Sequence, residues 1–481
     1  MTNHFNPPHI KSARRQLIKS LAACSAFAAV PAWAQTTASN PRRLIIVMLR
    51  GAIDGLSVVI PYTDDNYYRA RRTIAITKPE SDGGAIALNA EFGLHPSLDM
   101  LKPYWDNGSL AFVHACGSVD ATRSHFDAQD HLETASQGSL KTADGWLNRL
   151  IGTASFSNGK AQLVSFGPTT PRIVSGPEKF MVMPAGDLVA KPTVLEQNRL
   201  ADAVTQLYSD DPKLAEVLRQ ASTARKEVRA SILQSASAGM GSTVTASEPM
   251  VTGTDAMTIA AQADRGAATA RGFIQDARNL GLAFKNDPKL QLGFLAVGGW
   301  DTHVGQGAAK GQLANKLASL GQGLVTLAQS LGDQWASTSI IVMSEFGRTV
   351  RENGTGGTDH GRGNVAWLMG GTVKGGTVYG QWPGLDVAQL ADGRDLAITT
   401  DIRAVIAQTL MDHLKVSASV MATVLPGYSN DCIAKYVPNN VANNAINDVS
   451  KNAPKYTGKD AALIAGSGTA SNGLKDLFHK I

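Results

Sequence analysis

Continuous apolar runs, not alternating ones, set the pattern of this chain from residue 42 onward. Residues 44–49 (LIIVML) lie between Pro41 and Gly51 and predict a strand buried on both faces. Residues 110–113, 163–166, 292–297, 339–343 and 365–369 repeat that pattern. Between two of them, Leu313, Leu317, Leu320, Leu324 and Leu327 recur at spacings of three or four and predict a helix over about residues 308–335. Strands alternating with helices imply an α/β fold with a mostly parallel central sheet covered on both faces.

The middle of the chain breaks this rhythm. Residues 196–286 are rich in Ala, Gln, Ser and Arg and hold no strand run, which predicts a helical insertion, a candidate cap. Asp211-Pro212 opens one helix, with Leu214, Val217, Leu218, Ala221, Val228 and Ile232 on a single stripe. Residues 235–253 read as a Ser/Gly/Thr linker, and a second helix is expected over about 256–284. The insertion divides one α/β domain into residues 42–195 and 287–430. Residues 431–481 have the composition of a loosely ordered tail.

With 481 residues, 43% hydrophobic and 18% charged, the chain is too apolar to be disordered and long enough to bury a sizeable core. The formal net charge of +5 is concentrated at one end. Residues 1–34 hold Lys11, Arg14, Arg15 and Lys19 and no acid, which leaves +1 on the remainder. No basic stripe survives there, so a nucleic-acid partner is not expected. The same 34 residues read as an export signal. Arg14-Arg15 precedes a short apolar run, and Ala32 and Ala34 fit a cleavage site. The paired arginines resemble a twin-arginine (Tat) signal, which would engage the Tat export machinery. The expected location is periplasmic or secreted, after cleavage near Ala34. An uncleaved amphipathic anchor is the bland alternative. No stretch is long and apolar enough to suggest an integral membrane domain. Cys116 and Cys432 remain after cleavage, and their spacing does not decide whether they pair.

In open α/β sheets, ligands bind beyond the carboxyl ends of the strands. The polar residues after each run are therefore the candidate chemistry: Asp54 after the first, Arg123, Ser124, His125 and Asp127 after the second, Asp301 and His303 after residues 292–297, and Glu345 and Arg348 after residues 339–343. Asp359, His360 and Arg362 precede the last run. Each has an ordinary explanation alone: a turn, a helix cap or a surface ion pair. His114, inside a strand run, reads as a satisfied core histidine. Together they put several acids and imidazoles on one sheet edge, and clustered carboxylates repel unless a cation neutralises them. A divalent metal site is the economical explanation, with Zn²⁺ or Mn²⁺ suited to mixed His and Asp ligands. Ser124 reads either as a helix N-cap or as a nucleophile at a helix N-terminus.

The segments Arg50-Gly-Ala-Ile-Asp54-Gly, Arg123-Ser124-His125-Phe, Gly299-Trp-Asp301-Thr-His303, Ser344-Glu345-Phe-Gly-Arg348 and Thr358-Asp359-His360-Gly, in this order, resemble the domain-of-unknown-function-1501 family. That family commonly carries Tat signals and is grouped with the alkaline phosphatase-like superfamily. The resemblance implies an alkaline phosphatase-like three-layer sandwich and a two-metal hydrolytic site. It implies metal roles for Asp54, Asp301, His303, Glu345, Asp359 and His360, and a nucleophilic role for Ser124. It departs from the superfamily pattern at Phe346, where a histidine would follow the late-strand acid. The chain also lacks the C-x-P-x-R motif of sulfatases, since Gly-Ser-Val follows Cys116. The expected function is an exported metal-dependent hydrolase of phosphate or related esters acting on an anionic small-molecule or ester substrate, with Arg123 and Arg348 holding its oxygens. The rival readings are a non-catalytic periplasmic binding or assembly protein and a metal-dependent mutase.

Overall fold

The structure is a computed structural model and describes residues 41–136, 142–153, 156, 162–192, 198–207, 210–237 and 262–428. The segment read as an export signal, most of the expected linker, the expected tail and Cys432 lie outside the described residues. Nine strands form the main sheet. They are β1 (Arg43–Leu49), β2 (Leu110–Gly117), β3 (Gln162–Phe166), β4 (Met181–Met183), β5 (Leu290–Val297), β6 (Thr338–Ser344), β7 (Asn364–Gly370), β8 (Thr377–Tyr379) and β9 (Thr400–Asp401). Their spatial order is β8-β2-β7-β6-β1-β5-β3-β4, with β9 beside β2. Each apolar run singled out in the sequence lies in one of these strands.

The pairing is parallel except at β7, which runs antiparallel to both β6 and β2. The sequence pattern had suggested only burial there. The physical reason for the reversal is the connection: residues 345–363 between β6 and β7 contain no helix to carry a parallel crossover, so the chain turns back. Two reversals cancel, so β2 points the same way as β6, β1 and β5. The carboxyl ends of these four strands therefore share one edge. Leu49, at the end of β1, lies opposite both Val297 of β5 and Ser344 of β6.

Six helices matter here: α1 (His125–Thr134), α2 (Asn198–Leu207), α3 (Pro212–Ser237), α4 (Ala270–Asn286), α5 (Gln312–Leu331) and α6 (Ile402–Asp412). The pleat of β1 sends Ile45, Val47 and Leu49 into a core with Phe273 and Leu280 of α4 and Leu317, Leu320 and Leu324 of α5. It sends Leu44, Ile46 and Met48 to the opposite face, against Val405, Ile406 and Leu410 of α6. Helices thus cover both faces, which is why the strand runs show no alternation.

The insertion differs from expectation in two places. The stripe on α3 buries only at Val228 and Ile232, while Leu214 and Val217 remain about half exposed (49% and 54%). The second helix does not run unbroken from 256: the chain turns at Arg265 (φ 49°) and Gly266 (φ 74°), and Thr269 caps α4 by accepting from the Gly272 N–H. Among the described residues, no helix is long and apolar enough to cross a membrane.

His114 is a satisfied core histidine. Its Nδ1 accepts from the Ala115 N–H at 2.9 Å and its Nε2–H donates to the Val59 carbonyl at 2.9 Å, so the neutral ring meets both partners. Burial pushes its pKa down to about 4. An unfolded imidazole titrates near ~6.5. The stability that neutral His114 contributes is therefore complete above that pH and is lost as pH falls through 4. We expect His114→Gln to reduce the loss of folding free energy between pH 7 and pH 4.5 by roughly 2–3 kcal/mol. Urea titrations of both proteins at the two pH values check this, and identical losses would contradict it.

Candidate metal centre

The strand ends deliver their polar residues to a common point. His125 is the first residue of α1, Asp301 and His303 follow β5, and His360 lies in the return before β7, where its backbone bridges that of Arg348. The Nε2 atom of His360 is 3.1 Å from Nε2 of His125 and 3.1 Å from Nε2 of His303. Asp301 Oδ1 lies 3.0 Å from His303 Nε2 and 3.3 Å from His360 Nε2, and its Oδ2 is 3.5 Å from His125 Nε2. Atoms of His125, Asp301 and His360 all fall within 4.8 Å of one another.

The other ring nitrogens explain what these contacts mean. His125 Nδ1 is 2.8 Å from Glu345 Oε1, His303 Nδ1 is 3.0 Å from Asp359 Oδ1, and His360 Nδ1 is 2.9 Å from the Arg123 carbonyl. Carbonyls and carboxylates only accept, so each Nδ1 carries the proton. A neutral imidazole protonated there presents a lone pair at Nε2. In that form imidazole lone pairs and a carboxylate face one another, an arrangement that favours a positive charge among them, supplied by a proton or by a metal ion. The spacings among His125, Asp301 and His360 fit a metal ion: ligands at about 2.05 Å around a tetrahedral ion lie roughly 3.3 Å apart, and His303 stands beside this trio against Asp301 and His360. The donor chemistry and the geometry thus fit a divalent metal.

Electrostatics agree. Burial opposes the charged form of His125, but hydrogen bonds and attraction from Asp301 and Glu345 outweigh it and push its pKa up to about 9. Burial likewise opposes ionisation of Asp301, yet bonds from His125, His303 and His360 and the charge of Arg348 hold its carboxyl far below the usual range. Burial would raise Glu345 as well, but His125 and Gln129 bring it down to about 2. The pocket is built around positive charge. It opens on one side only: the side chains of His125 and Asp301 are 5% and 12% exposed, and that of His303 is 39% exposed.

The remaining sequence candidates take other places. Glu345 is not among the converging atoms. Its Oε1 accepts from the Gly51 N–H at 2.8 Å, from His125 Nδ1–H and from Gln129 Nε2–H at 3.0 Å, so it orients His125. Asp359 does the same for His303. Asp54 sits apart, fully buried. Arg71 grips both its oxygens (2.5 and 2.9 Å), and Ser57 and Gln306 donate to Oδ2. Burial would raise its pKa, but the Arg71 guanidinium holds it below the usual carboxylate range. With its lone pairs taken, Asp54 is a brace: Gln306 links it to Thr302 and Thr358, beside Asp301 and Asp359. Asp54 and Glu345 are thus both committed to other partners, and among the described residues one group of side chains, His125, Asp301 and His360, lies close enough to share an ion.

Arg348 is buried and donates to Asp301 Oδ1 at 2.6 Å and to the Thr358 carbonyl at 2.5 Å, so it braces Asp301 against the return before β7. Arg123 pairs with Asp395 at 2.5 Å and Asp392 at 3.1 Å. Ser124 is the N-cap of α1, and its Oγ accepts from the Asp127 N–H at 3.4 Å. Phe346, the departure from the superfamily pattern, stacks on His125 with ring centres 4.9 Å apart.

Sequence reading placed His125 among the polar residues of this edge but not among the candidate metal residues; its partners Glu345 and His360 lie more than 200 residues away along the chain.

Gly51 shapes the floor of the centre. It has φ 108°, and an added Cβ would lie 2.8 Å from the Asp301 nitrogen. Gly51→Ala should therefore cost roughly 2 kcal/mol or more of folding stability. Urea unfolding checks this, and a loss below about 0.5 kcal/mol would show that the loop accommodates a side chain.

A family model described as a protein of unknown function, DUF1501, matches residues 41–425. A search of curated proteins finds no match. Among solved structures, that of a 2-O GAG sulfatase aligns at 12% identity over 83% of this chain and 76% of that one. Its TM-score is 0.25, too low to bear on fold or function.

Proposed function

Starting from a chain that belongs to the DUF1501 family, we propose a metal-dependent hydrolase of phosphate or related esters on an alkaline phosphatase-like α/β fold. One observation carries the reading: His125 and His360, each with a proton fixed at Nδ1, turn their Nε2 atoms toward each other and toward Asp301. His125, His360 and Asp301 would hold a single ion, with His303 beside them against Asp301 and His360. A nitrogen-rich set of this kind favours Zn²⁺, with Mn²⁺ second, over Mg²⁺ or Ca²⁺. When bound, the ion would neutralise charge developing on an ester oxygen.

The chain's own residues supply the rest. Ser124 directly precedes ligand His125, is half-buried, and donates its hydroxyl proton to no group among the described residues. We assign it the attack: Ser124 Oγ bonds to the ester's central atom, the alcohol leaves with a proton, and water then releases the acid and restores the hydroxyl. The N-terminus of α1 favours the negative charge that accumulates there. Arg123, about one-third exposed, is the cation best placed to receive an anionic group. Export by the twin-arginine route, with cleavage near Ala34 and a periplasmic or secreted location, is part of the same proposal and is supported by Arg14-Arg15 and Ala32-Trp33-Ala34.

Elemental analysis of the purified protein should find about one divalent transition metal per chain, lost in His360→Ala. Ser124→Ala should keep the metal and lower hydrolysis of aryl phosphate or sulfate esters at least ~100-fold. Metal without hydrolysis of any such ester would favour the binding-protein reading. Absence of metal in the unaltered chain would remove the proposal.

A further inference from the structure

Beneath His125 lies a second, wholly buried polar layer that touches none of the converging atoms. His125, Gln129 and Glu133 occur every fourth residue on α1 and so share one face of the helix. Gln129 and Glu133 are completely buried. The Gln129 amide works in both directions. Its Oε1 accepts from Arg50 Nη1, and its Nε2 donates to Glu345 Oε1 at 3.0 Å and to the Ala263 carbonyl at 2.8 Å. Arg50, at the end of β1, also pairs with Glu133 at 2.7 Å, and Glu133 Oε2 accepts from the Ile173 N–H at 3.0 Å.

The layer therefore runs from the Arg50–Glu133 ion pair through Gln129 to Glu345, and from there to His125 Nδ1. An amide can accept from a guanidinium and donate two hydrogen bonds at once; an ionised carboxylate lacks the donor, and an aliphatic group lacks both. Ala263 belongs to the stretch just before the Arg265–Gly266 turn. Arg265 of that turn binds Asp130 at 2.7 Å and the Phe126 carbonyl at 2.9 Å, so the end of the insertion is fastened to the same helix.

We infer that Gln129 is a positioning residue for the metal centre: by clamping Glu345 between α1 and β1, it fixes the orientation of ligand His125. This rests on the metal reading above and deepens it. Two variants separate positioning from packing. Gln129→Glu keeps the side-chain volume and loses the donor, setting two carboxylates about 3 Å apart. Gln129→Met keeps similar volume and loses every hydrogen bond.

Zn²⁺ affinity measured by competition with a chromogenic chelator should weaken about 10–100-fold in both variants. The visible d–d spectrum of the Co²⁺-loaded variants should also differ from that of the unaltered chain, and Gln129→Glu should be no better than Gln129→Met. A purely packing role predicts normal affinity and a normal Co²⁺ spectrum for Gln129→Glu, and that outcome overturns the inference while leaving the metal reading intact. If the unaltered chain takes up neither Zn²⁺ nor Co²⁺, the metal reading falls and the inference with it.

Discussion

Lone-pair repulsion is the constraint on which the rest depends. Imidazole nitrogens at about hydrogen-bond distance from one another and from a carboxylate repel unless a proton or a cation lies among them, and Asp301 and Glu345 favour such a positive charge at His125. The fold holds them there regardless. Each ring is pinned from behind by an acceptor that fixes its tautomer: Glu345, Asp359 and the Arg123 carbonyl. Arg348 offsets one negative charge without filling the centre. An ion bound there would take the place of that proton, and the scaffold's stability and its affinity for the ion would then be coupled.

The scaffold can hold this arrangement because its supports are rigid. The four strand ends that bear the site come from a sheet buried on both faces, with β1 in the middle. The loops between them are tied by buried charge: Arg71 to Asp54, and Arg50 to Glu133. Such pairs contribute little net stability against an apolar substitute, but breaking one leaves a charge stranded in the interior. They act as locks on loop geometry more than as sources of stability.

Much of this was legible in the residues. The strands announced themselves because burial on both faces removes any need for polar positions. Asp301, His303 and His360 were found because chemistry gathers where parallel strands end. What escaped the sequence was decided by partners distant along the chain. Nothing near Asp54 tells that Arg71 will fold onto it and convert an expected ligand into a brace. Glu345 likewise looked like a ligand because the donors to its Oε1, Gly51, His125 and Gln129, come from two other segments. His125 was overshadowed by Ser124 beside it. The antiparallel β7 and the break before α4 were invisible for another reason: apolar periodicity reports burial, whereas direction and local turns depend on connections and on single residues such as Arg265 and Gly266.

The uneven depth of the three imidazoles has a consequence for exchange with solvent. His125 is sealed beneath Phe346, while His303 stands at the surface, braced by Asp359 and Asn353. An ion held by the inner pair and Asp301 would meet solvent past that outer ring. A small competing ligand would then reach it with the sheet still intact, and emptying and refilling would not require the unfolded state.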